Sequence, residues 1–141
     1  MKTIIKKELN GFPSVTYPVG NLSIEECLEL FTSDGLEYVI IDNLYYDSEF
    51  FPNAYEFDKE VGIKLNIDKA KEVQKNKWRD ARKKRFEKLD LQFMLSLEKG
   101  DVELQKTISN KKQELRDITN TFLSDDLEEI KITYPNILLE E

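Results

Sequence analysis

From Ile67 to Lys99 the chain contains neither glycine nor proline. Apolar residues recur there mostly three or four apart, at Ile67, Ala70, Val73, Trp78, Ala81, Phe86, Leu89, Phe93 and Leu97. That spacing predicts one amphipathic helix, about 50 Å long at 1.5 Å rise per residue. Asn66 is placed to cap its start, and Asp68 puts an anion where the helix dipole favours one. Gly100 follows as the left-handed residue that ends a helix, and Asp101 caps the next. The returning helix carries Leu104, Ile108, Leu115, Ile118 and Phe122 on its apolar side. Ending near Thr119, it is about 27 Å long. So tight a connection makes the pair an antiparallel hairpin. The first helix then overhangs its partner, and Ala70, Val73 and Trp78 need a cover: the N-terminal part of the chain, a second copy, or a partner protein. A homo-oligomer is expected on this ground, since exposed apolar surface favours association.

Ahead of the hairpin the pattern is shorter in period. Residues 2–8 and Ser14 to Tyr17 read as edge strands around an Asn10-Gly11 turn, although Pro13 argues against a simple hairpin. Ser23-Ile24-Glu25-Glu26 is a capping box, opening a helix with Ile24, Cys27, Leu28 and Phe31 on one side, which Asp34-Gly35 stops. Tyr38 to Ile41 reads as a buried strand. Extended pieces follow at Ala54–Phe57 and Gly62–Leu65. After the hairpin, residues 124–130 begin a short helix that Pro135 ends, and Ile137-Leu138-Leu139 can dock back on the hairpin. The expected fold is α+β: a small mixed unit over residues 1–65, then a helical hairpin with a short terminal helix over 66–141, the two forming one cooperative domain.

The residue inventory restricts the chemistry. There is no histidine, which removes the commonest general base and metal ligand and makes a Ser-His triad impossible. Glycines are scattered, so no phosphate-cradling loop is present. Asp42, Asp47 and Glu49 are the one set of carboxylates near a plausible cleft, and paired acid–base work needs such groups sheltered with separated pKa values. A packed structural role is expected for Cys27, the single cysteine, which points to a reducing compartment. Neither a catalytic residue, a cofactor nor a metal is expected. No apolar run is long enough to span a bilayer, and the lysines at the N-terminus precede no signal-peptide core, so the expectation is the cytosol.

Charge is uneven. Lys75 to Lys88 holds eight basic residues against Asp80 and Glu87, a net of +6 in a chain of net charge −7, so the rest carries −13. Trp78 and Phe86 interleave with Arg79, Arg82 and Arg85, which leaves three readings: a solvated helix face with both rings spent on packing, contact with an acidic protein, or phosphate contact with base stacking. The surrounding negative charge opposes a polyanion, and the eight cations spread around most of the polar side of the helix. Tyr45, Tyr46, Phe50, Phe51 and Tyr55 form an aromatic loop, either core of the small unit or a contact patch of the kind tyrosine suits.

Several of these residues fall into a recognisable order. Phe51-Pro52-Asn53-Ala54-Tyr55-Glu56 resembles the F-x-N-A-W-E element of small phage proteins encoded near tail or tail-fibre genes. Lys69-Ala70, the pair Arg79 and Arg82, Leu89-Asp90, Phe93-Met94, Leu97-Glu98 and Gly100-Asp101 are similar to the elements that follow it. Lys112-Gln113-Glu114-Leu115-Arg116-Asp117-Ile118 resembles K-Q-x-L-R-D-I, and an acidic helix and aromatic-Pro pair recur between Leu127 and Pro135. The likeness covers roughly residues 36–138. Its second half resembles the C-terminal helical region of phage tail-fibre assembly chaperones, without their Asp-Trp signature; Asp90-Leu91-Gln92-Phe93 stands there instead.

The resemblance implies a non-enzymatic tail or tail-fibre accessory protein in the host cytoplasm or the virion, either an assembly chaperone or a small virion component. It would hold a fibre or tail subunit through the aromatic loop and the overhanging helix, with no membrane involved. The alternative is a nucleic-acid-associated factor acting through residues 75–88.

Overall fold

The computed structural model describes residues 1–140. The chain is α+β and divides into two compact units, Met1–Ala70 and Lys71–Glu141.

In the first unit, β1 (Lys2–Lys7) is the centre of an antiparallel sheet between β2 (Pro13–Thr16) and β3 (Tyr38–Asp42). Having a neighbour on each side, β1 buries Ile4 and Ile5, whose side chains point to opposite faces. Pro13 does not prevent the β1–β2 hairpin, because it is the first residue of its strand, where a missing ladder donor costs least. The expectation of a buried strand at 38–41 is corrected. β3 has a single neighbour in its sheet, and Tyr38 and Ile40 are exposed.

Helix α1 (Ile24–Phe31) starts where Ser23 accepts a hydrogen bond from the Glu26 amide, at 3.2 Å. Cys27 is its buried residue. The end of α1 is tied to β1: Lys6 Nζ donates to the Phe31 carbonyl at 2.8 Å and to Asp34 Oδ2 at 2.7 Å. A cation is favourable at this helix terminus, where carbonyls lack partners. The Lys6 hydrogen bond, helped by the Leu36 amide, holds the Asp34 carboxyl below its ordinary 3.8, and Asp34 in turn raises Lys6 above 10.5. The tie therefore contributes fully between those values. It fades as acid protonates Asp34 below 3.8 and as base deprotonates Lys6 above 10.5. Thermal melts of the wild type and of Lys6→Met should differ slightly at neutral pH and draw closer as pH falls through the Asp34 transition, the bond to the Phe31 carbonyl keeping a residual gap. A gap that does not narrow there would mean the Lys6–Asp34 pair contributes nothing to stability.

Against the other face of the sheet lies a second hairpin, β4 (Tyr55–Asp58) and β5 (Gly62–Leu65). Gly62, with φ +88°, makes the close approach possible: a Cβ there would collide with Ile5 Cδ1 and lie 2.8 Å from Ile41 Cγ1. Asn66 then opens the long helix α2 (Ile67–Lys99), its Oδ1 accepting from the Lys69 amide at 3.2 Å. Its Nδ2 donates to Glu56 on β4 at 3.1 Å; this bond, with Lys69 at 3.0 Å, lowers the Glu56 pKa.

In the second unit, α2 runs to Gly100 (φ +69°) and turns into α3 (Val102–Arg116), capped by Asp101 Oδ1 accepting from the Leu104 amide at 3.0 Å. Cross-helix contacts fix an antiparallel register. Gln105 Nε2 donates to the Ser96 carbonyl, Lys112 pairs with Asp90 and lies over the Phe93 ring, and Arg82 donates to the Leu115 carbonyl.

Some expected core positions are corrected. Leu104, Ala81 and Leu97 are exposed, and Phe122 is 82% exposed while Leu123 is buried. The helical period stops early: α3 ends at Arg116, a 3₁₀ turn spans Asp117–Asn120, and Thr121 is extended. Beyond Ile118 the chain therefore no longer projects every third or fourth residue inward.

The overhang of α2 receives its cover from the C-terminal part of the chain. Helices α4 (Leu127–Ile132) and α5 (Asn136–Leu139) are short, and the segment containing them follows α2 in the same direction. Lys71 pairs with Asp125 at 2.7 Å, Gln74 Nε2 and Trp78 Nε1 both donate to the Thr133 carbonyl, and Arg85 donates to the Leu138 carbonyl at 2.7 Å. Trp78 and Ile130 are fully buried. This cover was not among the three that the sequence suggested for Trp78, and the overhang no longer argues for a homo-oligomer.

Candidate interaction surfaces

Two groups of residues were expected to meet a partner, one in each unit. In the first unit, the loop after β3 folds its aromatics on one another. Tyr46 and Phe51 have ring centroids 4.6 Å apart, and both approach Tyr55, at 6.5 and 5.9 Å. The Tyr55 hydroxyl accepts from the Asp47 amide at 2.9 Å, and Asp47 Oδ1 accepts from the Glu49 amide at 3.0 Å. Tyr17 donates to the Tyr46 hydroxyl at 3.3 Å; that bond, with partial burial, pushes the Tyr17 pKa up to about 12.

The expected patch is thereby divided. Phe50 and Tyr55 are buried and hold the loop, leaving no surface for a partner, while Tyr46 and Phe51 are half-buried. Tyr45 is 83% exposed. The carboxylates do not assemble into a site. Asp42 lies exposed at the end of β3, Glu49 is exposed, and Asp47 is buried as the acceptor of a local turn. Among the described residues no group of Cys, Asp and Glu side chains is arranged to hold a metal ion, and no helix is long and apolar enough to cross a membrane.

In the second unit, Trp78 is core and cannot be touched from outside. The three arginines have internal partners. Arg79 bonds Asn76 at 2.6 Å and Glu72 at 3.1 Å. Arg82 caps α3 through the Leu115 and Arg116 carbonyls, at 3.2 and 3.4 Å, with its guanidinium 5.9 Å from the Phe86 ring centre. Arg85 tethers the C-terminal segment. Such bonds satisfy carbonyls that a helix end leaves open. Lys83, Lys84 and Lys88 remain as exposed cations on this stretch. Gln74 was not singled out in the sequence. It is fully buried, with Oε1 lacking a hydrogen-bond partner among the described residues.

A third surface was also missed. Leu91, Met94 and Leu95 on α2 are 59%, 62% and 45% exposed. Leu91 lies about 160° around the helix from both Leu89 and Phe93 at 100° per residue, so it begins a second apolar stripe, which reaches the edge of α3 at Leu95. A helical wheel drawn over residues 84–99 would have revealed it. Beside it, Leu95 and Leu104 flank a shallow groove of about 300 Å³, completed by Gln92, Ser96 and Lys99.

No protein-family model, curated protein or solved structure matches this chain.

Proposed function

We propose that this protein is a non-catalytic binding protein, an accessory factor for assembly of a phage tail or tail fibre. The proposal rests on the ordered resemblance of residues 36–138 to small tail-associated proteins and to the helical region of fibre-assembly chaperones. The structural observation that carries it is the exposed aromatic rim: Tyr45 stands in solvent beside half-buried Tyr46 and Phe51, on a loop anchored from beneath by Phe50 and Tyr55. Anchored aromatics at a surface offer large contact area with little conformational entropy to lose on binding. The nucleic-acid reading gains nothing from the fold, because Arg82 and Arg85 are already bonded to carbonyls.

Co-expression with a tail-fibre subunit from the same genome tests the reading. The wild-type protein should raise the yield of assembled fibre several-fold, and Tyr45→Ser combined with Phe51→Ser should return it to the level without the protein. Fibre assembly that is the same with and without this protein would sink the proposal.

A further inference from the structure

We propose that two copies of the chain pair through the exposed side of α2 between Lys84 and Lys99, packed antiparallel about Leu91 and Leu95. This inference does not depend on the fibre reading. It begins from an anomaly of burial. A solvated helix side is normally polar, yet Leu91, Met94 and Leu95 are largely exposed in the last third of α2, with Leu91 on the side opposite Leu89 and Phe93. The C-terminal segment covers the other half of the helix and ends beside the stripe: its last described bond to α2 is at Arg85, and Glu140 lies near Lys88 and Gln92 without covering Leu91 or Leu95. The groove between Leu95 and Leu104 gives an incoming leucine a seat.

The charges on either side of the stripe say what fits it. Residues 83–88, preceding it, carry a net +3, from Lys83, Lys84, Arg85 and Lys88 against Glu87, which Glu140 beside Lys84 and Lys88 reduces to +2. Residues 98–103, following it, carry a net −2, from Glu98, Asp101 and Glu103 against Lys99. A second copy laid antiparallel brings each basic end beside the other copy's acidic hairpin tip, and does so twice by symmetry. A parallel arrangement stacks like on like, which disfavours it. This is the self-complementarity that a two-fold interface requires. Leu91 of each copy then faces the groove beside Leu95 and Leu104 of the other. Side-by-side contact over residues 84–99, about 24 Å, supplies an interface on the order of 1,000 Å², enough for a reversible dimer.

Analytical ultracentrifugation of the full chain at tens of micromolar tests the pairing. The wild type should sediment as a dimer. Leu91→Glu with Leu95→Glu should sediment as a monomer whose helical circular dichroism and melting are those of the wild type, since both side chains are exposed. Two charge variants keep the proposal falsifiable should that one misfold. Lys84→Glu with Lys88→Glu, and Glu98→Lys with Glu103→Lys, should each be monomeric alone and form a dimer when mixed. A monomeric wild type would overturn the pairing, as would a dimer that survives the leucine changes or charge variants that stay monomeric on mixing.

Discussion

Replacing Trp78 with alanine should destabilise the Lys71–Glu141 unit by about 3–5 kcal/mol, the range for truncating a buried tryptophan. That is a large part of the roughly 5–15 kcal/mol that holds a domain of ordinary size folded. Two losses combine. The side chain is fully buried, so its removal leaves a cavity in the seam between α2 and the C-terminal segment. Its Nε1 also donates to the Thr133 carbonyl at 3.1 Å, which would keep only the bond from Gln74. Trp78→Phe separates the two effects, retaining most of the volume while removing the donor, and should cost about 1 kcal/mol. Urea denaturation of the two variants checks the ordering. Equal and small shifts would mean that the C-terminal segment contributes little to the fold.

The second large effect is expected at Gly62. Alanine there must adopt a left-handed backbone, φ +88°, and place its Cβ into Ile5 and Ile41 on the facing sheet. Backbone strain and overpacking add, for about 2–4 kcal/mol in all. Gly100→Ala is the internal control. Its φ is +69°, but nothing lies within 4 Å of the added Cβ, so it bears the backbone term alone, about 1 kcal/mol. The midpoint of chemical denaturation for Gly62→Ala should therefore fall well below that for Gly100→Ala. The reverse order would mean that the β4–β5 hairpin does not pack on the sheet as described.

These two sites mark the boundary of what sequence can show. The α2–α3 hairpin was legible because its signals are local: a run without glycine or proline, a cap at Asn66, a stop at Gly100 and a cap at Asp101. Each acts within four residues of its own position. Gly62 was legible as the start of an extended piece but not as a contact, since its closeness to Ile5 depends on a sheet whose strands lie far apart in sequence. The cover over Trp78 was legible only at its end, as the docking of Ile137-Leu138-Leu139 on the hairpin, and the contact at Thr133 was illegible for the same reason. Thr133 contributes a backbone carbonyl, which every residue possesses, so no side-chain pattern advertises it.

Misplaced core positions have a narrower cause. Extending the helical period through Phe122 ignores the tightening at Asp117–Asn120, where a change of about 20° per residue relative to the α-helix rotates later side chains off the seam. Of the residues expected at an interface, Phe50, Tyr55 and Trp78 proved to be core, because large aromatics serve burial and binding equally well and only burial tells them apart. The arginines illustrate the same ambiguity for charge. Arg82 and Arg85 looked like cations for a partner, and the fold gives them carbonyl oxygens of the same chain.

The central structural claim is that the C-terminal segment covers the Trp78 side of the basic half of α2, leaving Lys83, Lys84 and Lys88 exposed. The chain's one tryptophan, Trp78, sits beneath that cover, so its fluorescence reports the claim directly. Emission from the intact chain should be blue-shifted and protected from a soluble quencher. Removal of the segment from Thr133 onward should red-shift it and make it quenchable while the helical circular dichroism of α2 and α3 persists. Emission and quenching unchanged by the truncation would contradict the account.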